Sequence, residues 1–468
     1  MTVAMGSLAD APLFAGAVHL DRLAVIGANH QWTWRQIHLA ASALALRFQK
    51  KDTVCNLCTS RVGFLIAWVA ALRSGCMQLL PPSGGNADLT ALLQTCADPV
   101  VVVDDAQLLQ AHWAAHARCI VNAPADMPCA RSDTVSAWLF DLDMPVVRLY
   151  TSGSTGVPQP QTRTLRQLTR GAQVLGVRLD EEIQGGLAST KSIVCSVSPQ
   201  HMFGLETSVM LSLVHGIPVI DRRPLFPADV HAALELVGRG AVWIATPLHL
   251  RALVSSGDEM PNCSVVVAST MALEPLVAAH SEKLVKAPVL EIYGSTETGL
   301  LAMRRTARDL SWRPVQDVRI TTRKSNAQVW GSHFPSPQLL TDKIETSQDG
   351  SFKLLGRHGD LIKIAGRRAS LAGLNLLLHD LPGLTDGVFY LPLTGASADR
   401  LVLIHAGLPL DPVATERWLR ARMDPTFLPR ALIHVPSLER TDSGKLPKVV
   451  LDRLYATWQS ERRADASL

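Results

Sequence analysis

The sequence predicts an α/β protein. Its large N-terminal domain should consist of mostly parallel sheets covered by helices plus a small barrel-like part, and a small α+β C-terminal domain should follow, mobile if the resemblance given below holds. Three observations carry this expectation. Short apolar runs rich in β-formers alternate with amphipathic helical segments from Val146 to Gly299. Beyond Gly299 the pattern becomes polar and alternating, as in "VRITTRKSNAQVWGSHF". A last unit, Leu374 to Tyr455, joins strand-like runs to the helix-like "DPVATERWLRARM" and a basic C-terminus. A chain of 468 residues is also too long for one core.

Taken in order, the N-terminal segment "MTVAMGSLADAPLFAGAVHLDR" has no basic start before its apolar part, so a secretory signal is not expected. The longest apolar run, Val62 to Leu72, stops at Arg73, far short of the roughly 20 residues of a spanning helix. It reads as a core helix, with no membrane span. Eight cysteines without framework spacing fit free thiols in a cytoplasmic protein, and the lone Cys55/Cys58 pair reads as buried structural thiols. The net charge of +4 comes from dispersed residues, which argues against nucleic acid as a partner.

The β-rich runs are "VVRLY", "SIVCSVS", "IPVI", "AVWIATP", "SVVVAST" and "VLEIYG". In parallel sheets ligands gather at the carboxyl ends of strands. The turns "LYTSGSTG", "VSPQHMFG", "VVVAST" and "IYGSTETG" sit at such ends, and on one edge of one sheet they would form a single pocket. Thr151, Ser152, Gly153, Ser154, Thr155 and Gly156 have the materials of an anion nest, with glycines that let backbone N–H groups turn inward and hydroxyls that add donors. A solvated turn is the competing reading, and the Gly-Lys-Ser/Thr ending of a Walker loop is missing. In "YGSTETG", Glu297 is a carboxylate that can hold Mg²⁺ or merely favour a helix start, and Tyr293 can stack on a base. Arg357 and Lys363 lie in "GRHGDLIK". Lys445 lies on the Ser-Gly turn of "RTDSGKLPK", as a mobile charge or as part of an exposed hairpin.

Together and in this order these pieces resemble the adenylate-forming superfamily of acyl-CoA synthetases, aryl-acid ligases and peptide-synthetase adenylation domains. The matching segments are "YTSGSTGVP", "PQHMFGLE", "YGSTETG", "LLTDKIE…DGSFKLLGR", "GRHGDLIKIAGRR" and "RTDSGKLPK", spanning Tyr150 to Lys448. Within that superfamily, "GSTETGLLAMRR", "WRPVQDVRI" and "VPQP" look like the ligases of aryl-polyene and xanthomonadin-type pigment clusters.

The resemblance implies an acid–thiol ligase that uses ATP and Mg²⁺ and serves a small carboxylic acid together with an acyl carrier protein or CoA. Residues 151–156 would hold the β- and γ-phosphates, Tyr293 and Gly294 would face adenine, and Asp342 and Arg357 would meet the ribose. Glu297 would bind Mg²⁺ and Thr296 would lie near the α-phosphate. Lys445 would bridge carboxylate and α-phosphate. His201, Phe203, Gly204, Thr270 and Leu300 are the candidate acid pocket, with His201 either meeting a ring hydroxyl or capping the following helix. The domains implied are 1–356 and 357–468 with a hinge near 356–360, and Lys363 and Arg368 would face the site in the thioester-forming state. An aryl acid is the first expectation and a fatty or hydroxy acid the second.

The chain departs from the family pattern at four places. Gln159 stands where a lysine is usual, with Arg163 four residues on as a candidate substitute; Gly359 stands where many relatives have Asp; Thr270 and Met271 replace small residues; and Asn375 replaces a glutamate. These departures keep a second class of reading open, a catalytically weak nucleotide-binding partner module.

Overall fold

A computed structural model describes residues 19–81, 86–121, 140–151, 159–261, 263–323, 326–334, 336–357, 361–378, 381–392, 400–440 and 446–465. Ser152 to Gly156, His358 to Asp360 and Lys445 lie outside these residues, as do the side chains of Thr151, Gln159, Arg357 and Arg368. The chain divides into two compact units. The first holds residues 1–151, 158–318 and 330–336, and the second holds 152–157, 319–329 and 337–468.

The first unit is built on two sheets. Its strands are β1 (Leu23–Ile26), β2 (Gln31–Thr33), β3 (Thr53–Asn56), β4 (Met77–Leu80), β5 (Pro99–Val103), β6 (Arg118–Val121), β7 (Pro145–Thr151) and β8 (Gln159–Thr164). There follow β9 (Ser192–Cys195), β10 (Val219–Ile220), β11 (Ala241–Ala245), β12 (Val265–Ala268), β13 (Val289–Ser295), β14 (Gly299–Arg304) and β15 (Arg313–Pro314). One sheet has the order β6-β5-β3-β4-β7-β8, the other β15-β14-β13-β12-β11-β9-β10-β1-β2. Interior pairs such as β3/β5, β4/β7, β9/β11 and β12/β13 are parallel, while β8, β14, β15 and β2 close the edges antiparallel. The six β-rich runs are therefore divided between two sheets. The run "VVRLY" belongs to the first, and the other five β-rich runs belong to the second. Hydropathy marks each run as a buried strand but carries no record of which strand pairs with which.

The apolar run Val62 to Leu72 is buried throughout, inside the helix Arg61–Ser74. Ser60 accepts from the Gly63 N–H to start this helix, and Gly75 ends it at φ +67°. Phe64 and Trp68 stack within it and join Trp34 and Ile37 in one core. No helix among the described residues is long and apolar enough to cross a membrane. The helices Trp34–Ala45 and Leu165–Glu182 each open on a capping box, Thr33 with Gln36 and Thr164 with Gln167. One of the amphipathic segments between the strands is the helix Pro227–Val237, which buries Val230 and Leu234 and stops at Gly238 (φ +73°).

In the second unit the strands are β16 (Arg319–Arg323), β17 (Asn326–Trp330), β18 (Gln338–Leu339), β19 (Asp342–Thr346), β20 (Phe352–Arg357), β21 (Leu361–Ile364), β22 (Arg367–Ser370), β23 (Asp386–Tyr390), β24 (Val402–Ala406) and β25 (Leu432–Val435). The expected barrel-like part does not close. Its strands form separate open sheets, β16-β17-β18 and β19-β20. Alternation of polar and apolar residues reports a half-exposed strand and is blind to closure. Beyond them a β21-β22 hairpin and a β23-β24-β25 sheet carry the helices Pro412–Arg420 and Lys448–Asp465. The expected hinge falls within this second unit.

Candidate active site

The motif "YGSTETG" is the tip of the hairpin β13-β14, and each of its letters has a local reason. Ser295 pairs with Gly299 and Gly294 with Leu300 across a bulge. A Cβ on Gly294 would collide with the Gly299 carbonyl, and Gly299 itself sits at φ +67°, so only glycine fits either place. Ser295 and Thr298 close the turn reciprocally. The Ser295 N–H donates to Thr298 Oγ1 at 3.2 Å and the Thr298 N–H to Ser295 Oγ at 3.2 Å. Thr296 is left half-buried and Glu297 exposed at the tip.

The base of the hairpin is fixed by a buried carboxylate. Glu291 accepts from Arg304 Nε at 2.7 Å, Thr306 Oγ1 at 2.7 Å and the Leu273 N–H at 3.0 Å. Burial pushes its carboxyl above the usual range, and Arg304 opposes that shift. Arg304 also lies over the Trp312 ring at 4.3 Å, and Trp312 packs against Tyr293 with ring centroids 5.4 Å apart. Tyr293 is thereby oriented by the segment "WRPVQDVRI".

Arg163, considered above as a substitute for the missing lysine, does something else. It is 3% exposed on β8, and its Nη1 donates to the carbonyl of Glu297 at 2.7 Å. It thus ties the two sheets together under the hairpin tip. "VPQP" itself does not run directly into a helix, because Gln159 pairs with Thr151 and the chain returns as β8.

Of the remaining candidates in the first unit, Leu300 is buried in β14. Gly204 is required by packing, since a Cβ there would collide with the Ser198 carbonyl. His201 occupies the cap position of the short helix Met202–Gly204, yet its side chain does not cap it. Phe203 is half-buried, and its carbonyl accepts from Thr207 Oγ1 at 2.6 Å. Thr270, just past the end of β12, sits at φ +90°, a region that a β-branched residue almost never occupies. Beside it Ser269 Oγ donates to the Ile292 carbonyl at 3.0 Å, joining the ends of β12 and β13.

In the second unit Asp342 opens β19 and stands opposite Arg357 in the register of β20. Lys363 stands opposite Arg368 across β21-β22, on a two-residue turn of Ala365 (φ +46°) and Gly366 (φ +81°). Arg440 forks onto Asp386 at 2.7 and 3.0 Å, and Lys448 pairs with Asp452 at 2.8 Å. These two pairs flank positions 441–445. Cys55 and Cys58 are buried and in no disulfide, and no cluster of three or more His, Cys, Asp or Glu that could hold a metal ion gathers among the described residues.

Sequence reasoning did not single out Arg304, Trp312, Glu206 or His333. The tertiary signal for the last two is their convergence on Gly299, where a Cβ would meet Arg163, Glu206 and His333 at 3.1, 3.3 and 3.6 Å.

Known proteins are similar to this chain in sequence and in fold. The family model described as AMP-binding enzyme matches residues 14–328. An acetyl-coenzyme A synthetase of Deinococcus radiodurans is 24% identical over 430 residues, which is 79% of this chain and 64% of that protein. A 4-coumarate–CoA ligase of Cereibacter sphaeroides is 24% identical over 300 residues, 63% of this chain and 69% of that protein. The chain thus spans about two thirds of the length of these curated relatives. The solved o-succinylbenzoate coenzyme A synthetase from Bacillus subtilis, in complex with ATP and magnesium ion, superposes with a TM-score of 0.78 at 16% identity, covering 92% of this chain and 97% of that one.

Proposed function

The chain belongs to the AMP-binding enzyme family, and from that premise we propose that it is an ATP-dependent carboxylic acid ligase acting on an aryl acid of the hydroxybenzoate kind. A carboxylate oxygen attacks the α-phosphorus, the bond to the β-phosphate breaks, and pyrophosphate leaves. A phosphopantetheine thiol, of an acyl carrier protein or of CoA, then attacks the acyl carbon and AMP departs. The hairpin tip carries this reading, because it presents Glu297 to solvent beside Thr296 on a turn locked at its base by Glu291.

An anionic acid meets an anionic phosphate, so the protein's task is mostly positioning and charge neutralisation. The hydroxyl loop 151–156 receives the β- and γ-phosphates. Tyr293 takes the adenine face, while Asp342 and Arg357 take the ribose. Lys445 offsets the repulsion between the attacking oxygen and the α-phosphate. Glu297 is the hard oxygen donor that Mg²⁺ accepts, and one carboxylate suits an ion that takes its remaining ligands from phosphate and water. Bound there, Mg²⁺ supplies charge neutralisation for the departing pyrophosphate. Lys363 and Arg368 carry like charges at opposed register positions, an arrangement that costs stability unless an anion is served. Phosphates of the thiol-bearing group would be that anion.

The aryl preference draws on the 4-coumarate and o-succinylbenzoate ligases among the similar proteins and on His201 as a partner for a ring hydroxyl. A pigment-cluster setting with a carrier-protein acceptor, a 1–356 and 357–468 domain division turning about 356–360, and a cytoplasmic location complete the reading. The test is acid-dependent pyrophosphate release across benzoates and fatty acids, with CoA or carrier protein as acceptor. Release with benzoates supports it, release with fatty acids alone moves the substrate to the fatty-acyl class, and none with any acid leaves a nucleotide-binding partner module.

A further inference from the structure

Beneath the hairpin tip lies a buried charged cluster that the proposed chemistry does not use. Arg163 comes from β8. Glu206 comes from Leu205–Met210, a stretch wound as a π-helix, a wide turn that recurs at functional sites. His333 comes from the loop after β17 and is fully buried. Enclosing an arginine and a glutamate is costly, and an apolar set of the same volume is often as stable or more so. Such a cluster therefore calls for a use.

Their hydrogen bonds show where the three side chains act. Arg163 Nη1 donates to the Glu297 carbonyl at 2.7 Å. His333 Nε2 donates to the Leu300 carbonyl at 2.6 Å. The Leu300 N–H, with Arg163, favours the charged form of the Glu206 carboxyl against its burial. All three grip main chain, at 297 and at 300, on either side of Gly299. The fit is close on every side, since a Cβ on Gly299 would touch all three and one on Gly171 would collide with Glu206.

We propose that Arg163, Glu206 and His333 are positioning residues, which hold the backbone of residues 297–300 from beneath so that Glu297 is presented at one fixed place. This inference rests on the reading of Glu297 as the Mg²⁺-binding carboxylate. Three elements far apart in sequence converge on one turn, where Arg163 and the neutral ring of His333 meet carbonyls and the Glu206 carboxylate meets the Leu300 N–H side.

The test uses the full chain with the substitutions Arg163→Met, Arg163→Lys and Glu206→Gln. In the substrate-free protein, hydrogen exchange of the segment 294–302 should quicken about tenfold or more in Arg163→Met, the weight of one charge-assisted bond. Exchange in the helix Arg61–Ser74 should stay unchanged. The Mg²⁺ needed for half-maximal pyrophosphate exchange should rise about 10-fold to 100-fold, as for supporting residues around metal ligands, with the KM for the acid little altered. Arg163→Lys should recover part of both effects. Glu206→Gln, nearly isosteric, should shift both in the same direction and serves if Arg163→Met does not fold. Quickened exchange with an unchanged Mg²⁺ requirement would make the cluster merely structural, and no change in either would remove it altogether. If the wild-type protein activates no acid, the proposed function fails by itself, and hydrogen exchange still decides whether the cluster grips the turn.

Discussion

Asp342 and Arg357 stand directly opposite each other in the antiparallel register of β19 and β20, fifteen positions apart in sequence yet neighbours across one hairpin. The two backbone positions are thus held by the same ladder, in a unit that also carries Lys363 and Arg368.

If this pair receives the ribose, Asp342→Ala should raise the KM for ATP about 10-fold to 100-fold, the cost of losing hydrogen bonds to a charged acceptor. The KM for the acid should move little. Pyrophosphate exchange at varied ATP measures both, and an unchanged KM for ATP would take Asp342 out of the nucleotide site.

Lys445 and Lys363 should separate the two half-reactions. Lys445→Ala should slow adenylation about 10²-fold to 10³-fold, by analogy with a lost oxyanion donor. Lys363→Ala should spare adenylation and weaken acyl transfer to the thiol. Pyrophosphate release and thioester formation, assayed separately, check the division; equal loss of both steps in Lys363→Ala would contradict it.

Thr270 stores strain at φ +90°. Backbone conformations of this kind cost of order 1–3 kcal/mol and cluster at functional sites. Thr270→Gly should therefore raise unfolding free energy by about 1 kcal/mol, since glycine adopts the conformation freely but loses more entropy on folding. The same change should alter the relative KM values of different acids. Chemical denaturation and an acid panel decide, and a destabilised variant with unchanged selectivity would show that the strain serves only packing.

Acid should destabilise the first unit through buried neutral histidines. Burial lowers His38, His249 and His333 each from 6.5 to about 4. Between these values the unfolded chain binds more protons at these positions, so the stability they allow is whole above pH 6.5 and is lost as pH falls toward 4. Glu206 has the opposite slope. Its burial, only partly offset by Arg163, raises the carboxyl from 4.5 to about 7, so stability falls as pH rises from 4.5 toward 7. Glu206→Gln should therefore remove a loss of stability between pH 5 and 7, and denaturation midpoints across that range in both proteins measure it. A wild-type profile that the substitution leaves unchanged would mean that Glu206 does not titrate there.

Much of this protein is readable from its letters because the information is local. The run Val62 to Leu72 is apolar on every side, so it can only be a buried helix. "YGSTETG" has glycines where a hairpin tip brings two backbones together, and Ser and Thr three apart where they can close it. "LLTDKIE…DGSFKLLGR" reads as two strands about a turn, and a bulge between Lys343 and Ile344 then sets Asp342 opposite Arg357.

What required the tertiary structure involves partners distant in sequence. Hydropathy could not assign β7 and β13 to different sheets, nor show that the strands after Gly299 leave their sheets open, because pairing and closure depend on elements elsewhere in the chain. Arg163 read as a spare cation near a phosphate loop; the fold turns it inward to the Glu297 carbonyl, 134 residues away. Glu206 ends the segment "PQHMFGLE" with no role legible there, and His333 lies in no motif. A charge can be buried only where the folded chain brings groups to meet it, so the elements and the exposed chemistry follow from local residues, while what holds that chemistry in place follows from the fold.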